Sequence, residues 1–155
     1  MFGLEKYKYT ADKTFRVYSF VSNGPNGSIQ KIAKFNEIGS NIYNFGFGDY
    51  DTKTGDISDT SVSNNQDTDI IMGTVGSIIY DFTNVFMDAL IFIQGTNAAR
   101  TRLYQININK HWTRIEPVFE VFGLKNQHWE AFKKLINYDA FLGRRKGAFL
   151  LNEYQ

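Results

Sequence analysis

Ala89-Leu-Ile-Phe-Ile93 is the stretch from which the fold of this chain can be read. It is short, continuously apolar and followed by Gly95, so it predicts a central β-strand buried on both faces. Upstream, Ile71, Val75, Ile78, Phe82 and Val85 recur at spacings of four, three, four and three. Those spacings place all five on one stripe of a helix about five turns long. Asn65 or Asp67 is its expected cap. Gly73 and Gly76 weaken helix propensity and are expected to let the helix pack closely on a sheet. Downstream, Thr96 or Asn97 caps a second helix over 98–108, with Ala99, Leu103 and Ile106 as its buried face.

The chain before this unit reads as a meander of three antiparallel strands. Arg16-Val-Tyr-Ser-Phe-Val21 alternates in side-chain character, as do residues 28–35, where Lys31, Ala33 and Phe35 share one face. Asn26-Gly27 marks the turn between them, because both residues tolerate positive φ. A turn at 36–40 leads to Asn41-Ile-Tyr-Asn-Phe-Gly-Phe-Gly48, whose glycines predict a bulge or the close approach of another segment. Residues 49–66 form a polar connection with a turn at 52–55 and a short strand at 57–62. Two strands close the chain. One spans Arg114 to Phe122, with Pro117 at an edge or bulge, and the other lies within 129–142, where 130–136 also reads as a short helix. The expected fold is one α+β domain over residues 1–155, mostly antiparallel: a three-stranded meander, a helix, a central strand, a helix and two C-terminal strands.

Composition narrows the function classes. Fourteen Phe, nine Tyr and two Trp in 155 residues can furnish an aromatic core, and the absence of Cys removes disulfides and thiolate chemistry. A net charge of +1 argues against a dedicated nucleic-acid binder. The charge is uneven: residues 1–99 carry 7 basic and 11 acidic side chains (net −4), and residues 100–155 carry 10 and 5 (net +5). Two solvated faces, an anion-binding surface in the second half, or a homodimer joining unlike patches all satisfy that asymmetry. No signal-peptide pattern or membrane-length apolar run occurs, so a cytoplasmic protein without membrane contact is expected.

The order β-β-β-α-β-α-β-β resembles the core of the GNAT acyltransferase superfamily. Asn97-Ala-Ala-Arg-Thr-Arg-Leu-Tyr104 is similar to the superfamily segment N-x-x-A-x-x-L-Y at Asn97, Leu103 and Tyr104, with Arg100 where alanine is usual. The resemblance implies acetyl-CoA as cofactor and Tyr104 as general acid for the departing thiolate. It also implies a glycine turn opening the first long helix, where backbone N–H groups would hold the CoA pyrophosphate. Here that region reads Asp67-Thr-Asp-Ile-Ile-Met-Gly-Thr-Val-Gly76: its glycines are three apart instead of two, and Asp67 and Asp69 bring carboxylates to the helix start. Phe-Gly-Asp-Tyr-Asp at 47–51, Val-Ser-Asn-Asn at 62–65, Tyr-Asp-Phe at 80–82, Ala-Arg-Thr-Arg-Leu-Tyr at 99–104 and Asn-Tyr-Asp-Ala-Phe-Leu at 137–142 resemble a bacterial single-domain family of unknown function.

Thr96, Asn97, Arg100 and Arg102 are the candidate ligand-binding residues. Free N–H groups at a helix mouth beside a guanidinium suit a phosphate or carboxylate. Arg100 and Tyr104, four apart, share a helix face. Asp49-Tyr-Asp-Thr-Lys-Thr-Gly-Asp56 has calcium-loop features, but Lys53 stands where an oxygen ligand is needed and a hairpin turn is expected instead. His111 and His128 fall on expected loops without metal-ligand spacing. Arg144-Arg-Lys146, with Lys133 and Lys134, reads as a solvated basic face. Residues 147–155 are apolar for a free tail and are expected to dock on the domain or on a neighbouring subunit. The expected function is a binding domain on a GNAT-like scaffold that recognises a small anion or a protein partner and needs no cofactor. The alternative is a divergent CoA-dependent N-acyltransferase acting through Tyr104.

Overall fold

The computed structural model describes residues 3–58 and 64–147. In chain order the described elements are β1 (Thr10–Ala11), β2 (Val17–Gly24), β3 (Gly27–Gly39), β4 (Ile42–Asp51), β5 (Asp56–Ile57), α1 (Thr68–Val85), β6 (Leu90–Ile93), α2 (Ala98–Lys110), α3 (Trp112–Ile115), β7 (Phe119–Lys125), β8 (His128–Ala131) and β9 (Ala140–Arg145). The architecture is α+β with a mostly antiparallel sheet, ordered β1-β2-β3-β4-β6-β9-β7-β8, with β5 paired to β4 beside this path. With nine strands, that sheet is larger than the meander, central strand, two closing strands and short 57–62 strand expected. Two compact units emerge, one within Met1–Asn36 and Gly46–Val85, the other within Glu37–Phe45 and Phe86–Gln155.

In the first unit the β2–β3 ladder runs up to Gly24↔Gly27, leaving Pro25 and Asn26 at the tip and Gly27 at φ 87°. Both strands therefore extend beyond the predicted ends. Aromatic rings form the core: Phe35 stacks on Phe82 at 3.8 Å, Phe20 stacks on Phe47 at 6.0 Å, and Tyr18 meets Phe35 edge-on at 5.8 Å. Ile71, Val75, Ile78 and Phe82 are buried as the stripe on α1 requires, while Val85 at the helix end is 50% exposed. Ile57 lies over Gly46 and Gly48, where added Cβ atoms would come within 3.1 and 2.8 Å of it, so the close approach expected there is made by β5. The remainder of the predicted 57–62 strand falls largely outside the described residues.

Gly73 has a different role from the one expected. A Cβ there would stand 2.3 Å from the Glu5 carbonyl oxygen, so this glycine admits the N-terminal segment rather than the sheet. That segment is tied to α1 by hydroxyl contacts: Tyr7 N–H donates to Thr74 Oγ1 (2.9 Å), Lys6 Nζ to Ser77 Oγ (3.1 Å), and the Tyr9 hydroxyl to Asp81. Asp67 begins the helix through its carbonyl, which accepts from Ile71 N–H at 3.0 Å. Its carboxylate accepts instead from Tyr7 (2.6 Å) and Ser22 (2.5 Å). Asn65 also turns away from the helix and donates to the Gly27 carbonyl at 2.9 Å.

Burial pushes the hydroxyls of Tyr9 and Tyr18 up to about 12, with the Asp81 carboxylate adding to both. A free phenol titrates near 10, so the folded state holds these protons more tightly than the unfolded chain. Their stabilisation is intact below about pH 10 and is lost as pH rises toward 12. The urea midpoint should therefore fall over that window, and Tyr9→Phe should make the fall shallower. An equal slope in the variant would remove Tyr9 from the effect.

In the second unit β4 and β6 run parallel, from Ile42↔Leu90 to Phe45↔Ile93. β9 pairs antiparallel with β6 on one side and β7 on the other, and β8 completes a hairpin with β7. The central strand is buried on one face only. Ile91 points into the core, while Leu90 and Phe92 face the other way, half-buried, and Phe92 meets Trp129 edge-on at 6.2 Å. The strand predicted over 114–122 instead begins as α3, and β7 starts only at Phe119. Pro117 lies between them because it has no N–H to extend a helix or a ladder. Two strands, not one, occupy the 128–145 region, and no helix forms at 130–136.

α2 is rotated from its predicted orientation. It buries Thr101, Tyr104 and Gln105, while Ile106 is 47% exposed and Ala99 faces solvent. A polar and an aromatic contact accompany that rotation: Gln105 is bonded into the neighbouring loop and Tyr104 packs edge-on against Phe45 at 6.5 Å. Arg144 belongs to β9 and pairs with Glu120, with Nε at 2.7 Å from Oε1, on a partly exposed part of the sheet. The tail expected to dock, beyond Gly147, lies outside the described residues. No described helix is long and apolar enough to cross a membrane.

Candidate functional site

The groove at the N-terminal mouth of α2 is assembled by three segments. β6 ends at Ile93, and Gln94-Gly-Thr-Asn97 then leads into the helix. Gly95 is required at this turn, because a Cβ there would lie 2.4 Å from Thr101 N and 2.5 Å from Arg100 Cβ. Asn97 is the N-cap: its side chain accepts from Arg100 N–H at 2.8 Å. The Thr101 hydroxyl closes the same turn, accepting from Gly95 N–H at 2.9 Å. The first amides of α2 have no intrahelical acceptor, as at any helix start, and no acidic residue lies in its first turn.

The opposite wall comes from the β8–β9 connection. Gln105 is 1% exposed; its amide donates to the Ile136 carbonyl and its oxygen accepts from Tyr138 N–H at 2.8 Å. The Tyr138 hydroxyl ties the loop to itself, accepting from Lys133 N–H and donating to Glu130, each at 3.1 Å. Held at its base, the loop projects Leu135 into solvent, 93% exposed at φ 72°. Asp139 is fixed by its backbone: its N–H donates to the Leu124 carbonyl (2.8 Å), and its carbonyl accepts from Gln94 (3.2 Å). The resulting groove has a volume of about 600 Å³.

Three of the sequence-selected residues meet there, since Thr96, Asn97 and Arg102 all line the groove. Arg102 donates to the Asn137 side chain across it. Arg100 and Tyr104 are not among the lining residues. Tyr104 is 7% exposed, and burial pushes its hydroxyl pKa up against the opposing pull of the neighbouring Arg100. Sequence reasoning did not select Gln94, Gln105, Asn137, Tyr138 and Asp139 for this site. Part of the signal was nevertheless present, because two of the segments that resemble an uncharacterised family, 99–104 and 137–142, supply both walls.

The other candidates separate. Asp49 is buried in an ion pair with Lys31. Asp51 caps the β4–β5 turn by accepting from Lys53 N–H at 2.8 Å. Ile57 N–H, followed by Lys34 at 3.1 Å, holds the Asp56 carboxyl below its ordinary range. His111 ends α2 and His128 begins β8. Among the described residues no cluster of three His, Asp or Glu side chains could hold a metal ion.

A family model described as a Family of unknown function (DUF6934) matches residues 3–146. No match was found among curated proteins or among solved structures.

Proposed function

Because the chain belongs to the DUF6934 family of unknown function, we propose a function from its own geometry: a ligand-recognition domain whose α2 groove takes a small anion. One observation carries this reading. Thr96, Asn97 and the Arg102 guanidinium border a single groove at a helix mouth that has open amides and no acidic residue in its first turn. The α1–β6–α2 succession in the chain is what the GNAT resemblance rests on. At the start of α1, where that resemblance implies a pyrophosphate site, the Asp67 carboxylate is engaged by Tyr7 and Ser22 and the Glu5 carbonyl crowds Gly73. These contacts support recognition without a CoA cofactor. The element order favours the second reading, a divergent CoA-dependent acyltransferase, whose general acid Tyr104 would have to become accessible.

Thermal unfolding in inorganic phosphate tests the first reading. At a hundred times its dissociation constant, a ligand adds about 2.7 kcal/mol, or about 5–10 °C at this size. Phosphate should give a saturable rise, and Arg102→Ala should weaken its binding about tenfold, as expected for loss of a charge-assisted hydrogen bond. No saturable rise would overturn the anion site. A rise specific to CoA and absent with phosphate would favour the acyltransferase.

A further inference from the structure

The α2 groove carries two opposite charges, and they do not pair with each other. Arg102 on α2 donates to the Asn137 amide, and Asp139, immediately before β9, also lines the groove. Among the described residues neither side chain is in an ion pair, and the Asp139 carboxylate accepts no hydrogen bond. Its position is nonetheless set, because both backbone groups of Asp139 are engaged, to Leu124 and to Gln94.

We propose that the groove recognises an amino-acid zwitterion: a small molecule whose carboxylate meets Arg102 and the first amides of α2 and whose ammonium meets Asp139. This inference rests on the groove being the anion site proposed above. A simple anion would leave the Asp139 carboxylate on the wall as a repulsive neighbour, and a simple cation would face Arg102 and the positive end of α2. A ligand carrying both signs is attracted at each end. Thr96, Gln94 and Asn137 add neutral polar groups around these two charges. Such complementarity serves selectivity, because each charge rejects the ligand that lacks its counterpart.

The test is an NMR titration of the ¹⁵N-labelled chain, following the amides of Thr96, Arg102 and Asp139. The probes are glycine, β-alanine and γ-aminobutyrate, each beside its deaminated partner acetate, propionate or butyrate. At least one amino acid should bind about tenfold more tightly than its partner, the gain expected of a charge-assisted contact. Asp139→Asn should reduce that amino acid to the affinity of the plain carboxylate, whereas Arg102→Ala should weaken both. Asp139 is exposed and held by its backbone, so the Asn variant is expected to fold. Carboxylates binding as tightly as every amino acid would overturn the zwitterion and leave the anion site standing. Binding of neither series would overturn both.

Discussion

Asp49→Ala should destabilise the first unit by about 3–5 kcal/mol, the range seen when one partner of a buried ion pair is removed. Lys31 on β3 and Asp49 on β4 form an ion pair with exposures of only 4% and 6%. They lie on the same inward sheet face as Phe20 and Phe47, whose rings stack at 6.0 Å. Alanine would leave the Lys31 ammonium among these rings with its carboxylate gone, and a four-carbon stem rooted in mid-strand gives it no short route to water. The double replacement Lys31→Met with Asp49→Leu should recover most of the loss, because it removes both desolvated charges and retains comparable volume. Urea denaturation of the wild type, the single variant and the double variant decides the matter. A single-variant cost below about 1 kcal/mol would mean that the pair behaves as a solvated surface bridge.

Gln105→Leu should cost the second unit about 2–4 kcal/mol, although the side chains are close in volume. The loss comes from two backbone groups, the Ile136 carbonyl and the Tyr138 N–H, which Gln105 satisfies through one amide side chain. The substitution also acts on the groove, because this contact pins the wall that carries Asn137 and Asp139 to α2. Amide hydrogen exchange at Tyr138 should speed up, and the phosphate-induced rise in unfolding temperature should shrink even though no groove charge has changed. Unaltered exchange at Tyr138 would show that the loop is held elsewhere, for example by the Tyr138 hydroxyl and Glu130.

These two side chains also mark how far the fold and the site could be read in advance. The alternation over 28–35 set Lys31 beside Ala33 and Phe35, but no local pattern could say that the opposite charge would arrive from Asp49. On α2 the spacing of Ala99, Leu103 and Ile106 suggested an apolar buried face. The helix turned instead to bury Tyr104 and Gln105, because satisfying the backbone of a loop over thirty residues away outweighed covering Ile106. The strand expected over 114–122 starts late for a local reason. Its β-branched and aromatic residues fit a ladder, but Pro117 broke the run and the first part closed into a helical turn.

The sequence by itself determined the α+β class, the meander, the stripe of α1, the central strand and the helix mouth at Thr96 and Asn97. Each of these follows from periodicity, capping or turn chemistry within a dozen residues, where the chain's own connectivity fixes who neighbours whom. The tertiary structure alone decided the insertion of β9 between β6 and β7, the rotation of α2 and the presence of Arg102 and Asp139 in one groove. Those depend on which distant backbone and charged groups come to share one low-dielectric environment. There the cost of an unsatisfied partner exceeds the small local preferences that a sequence displays.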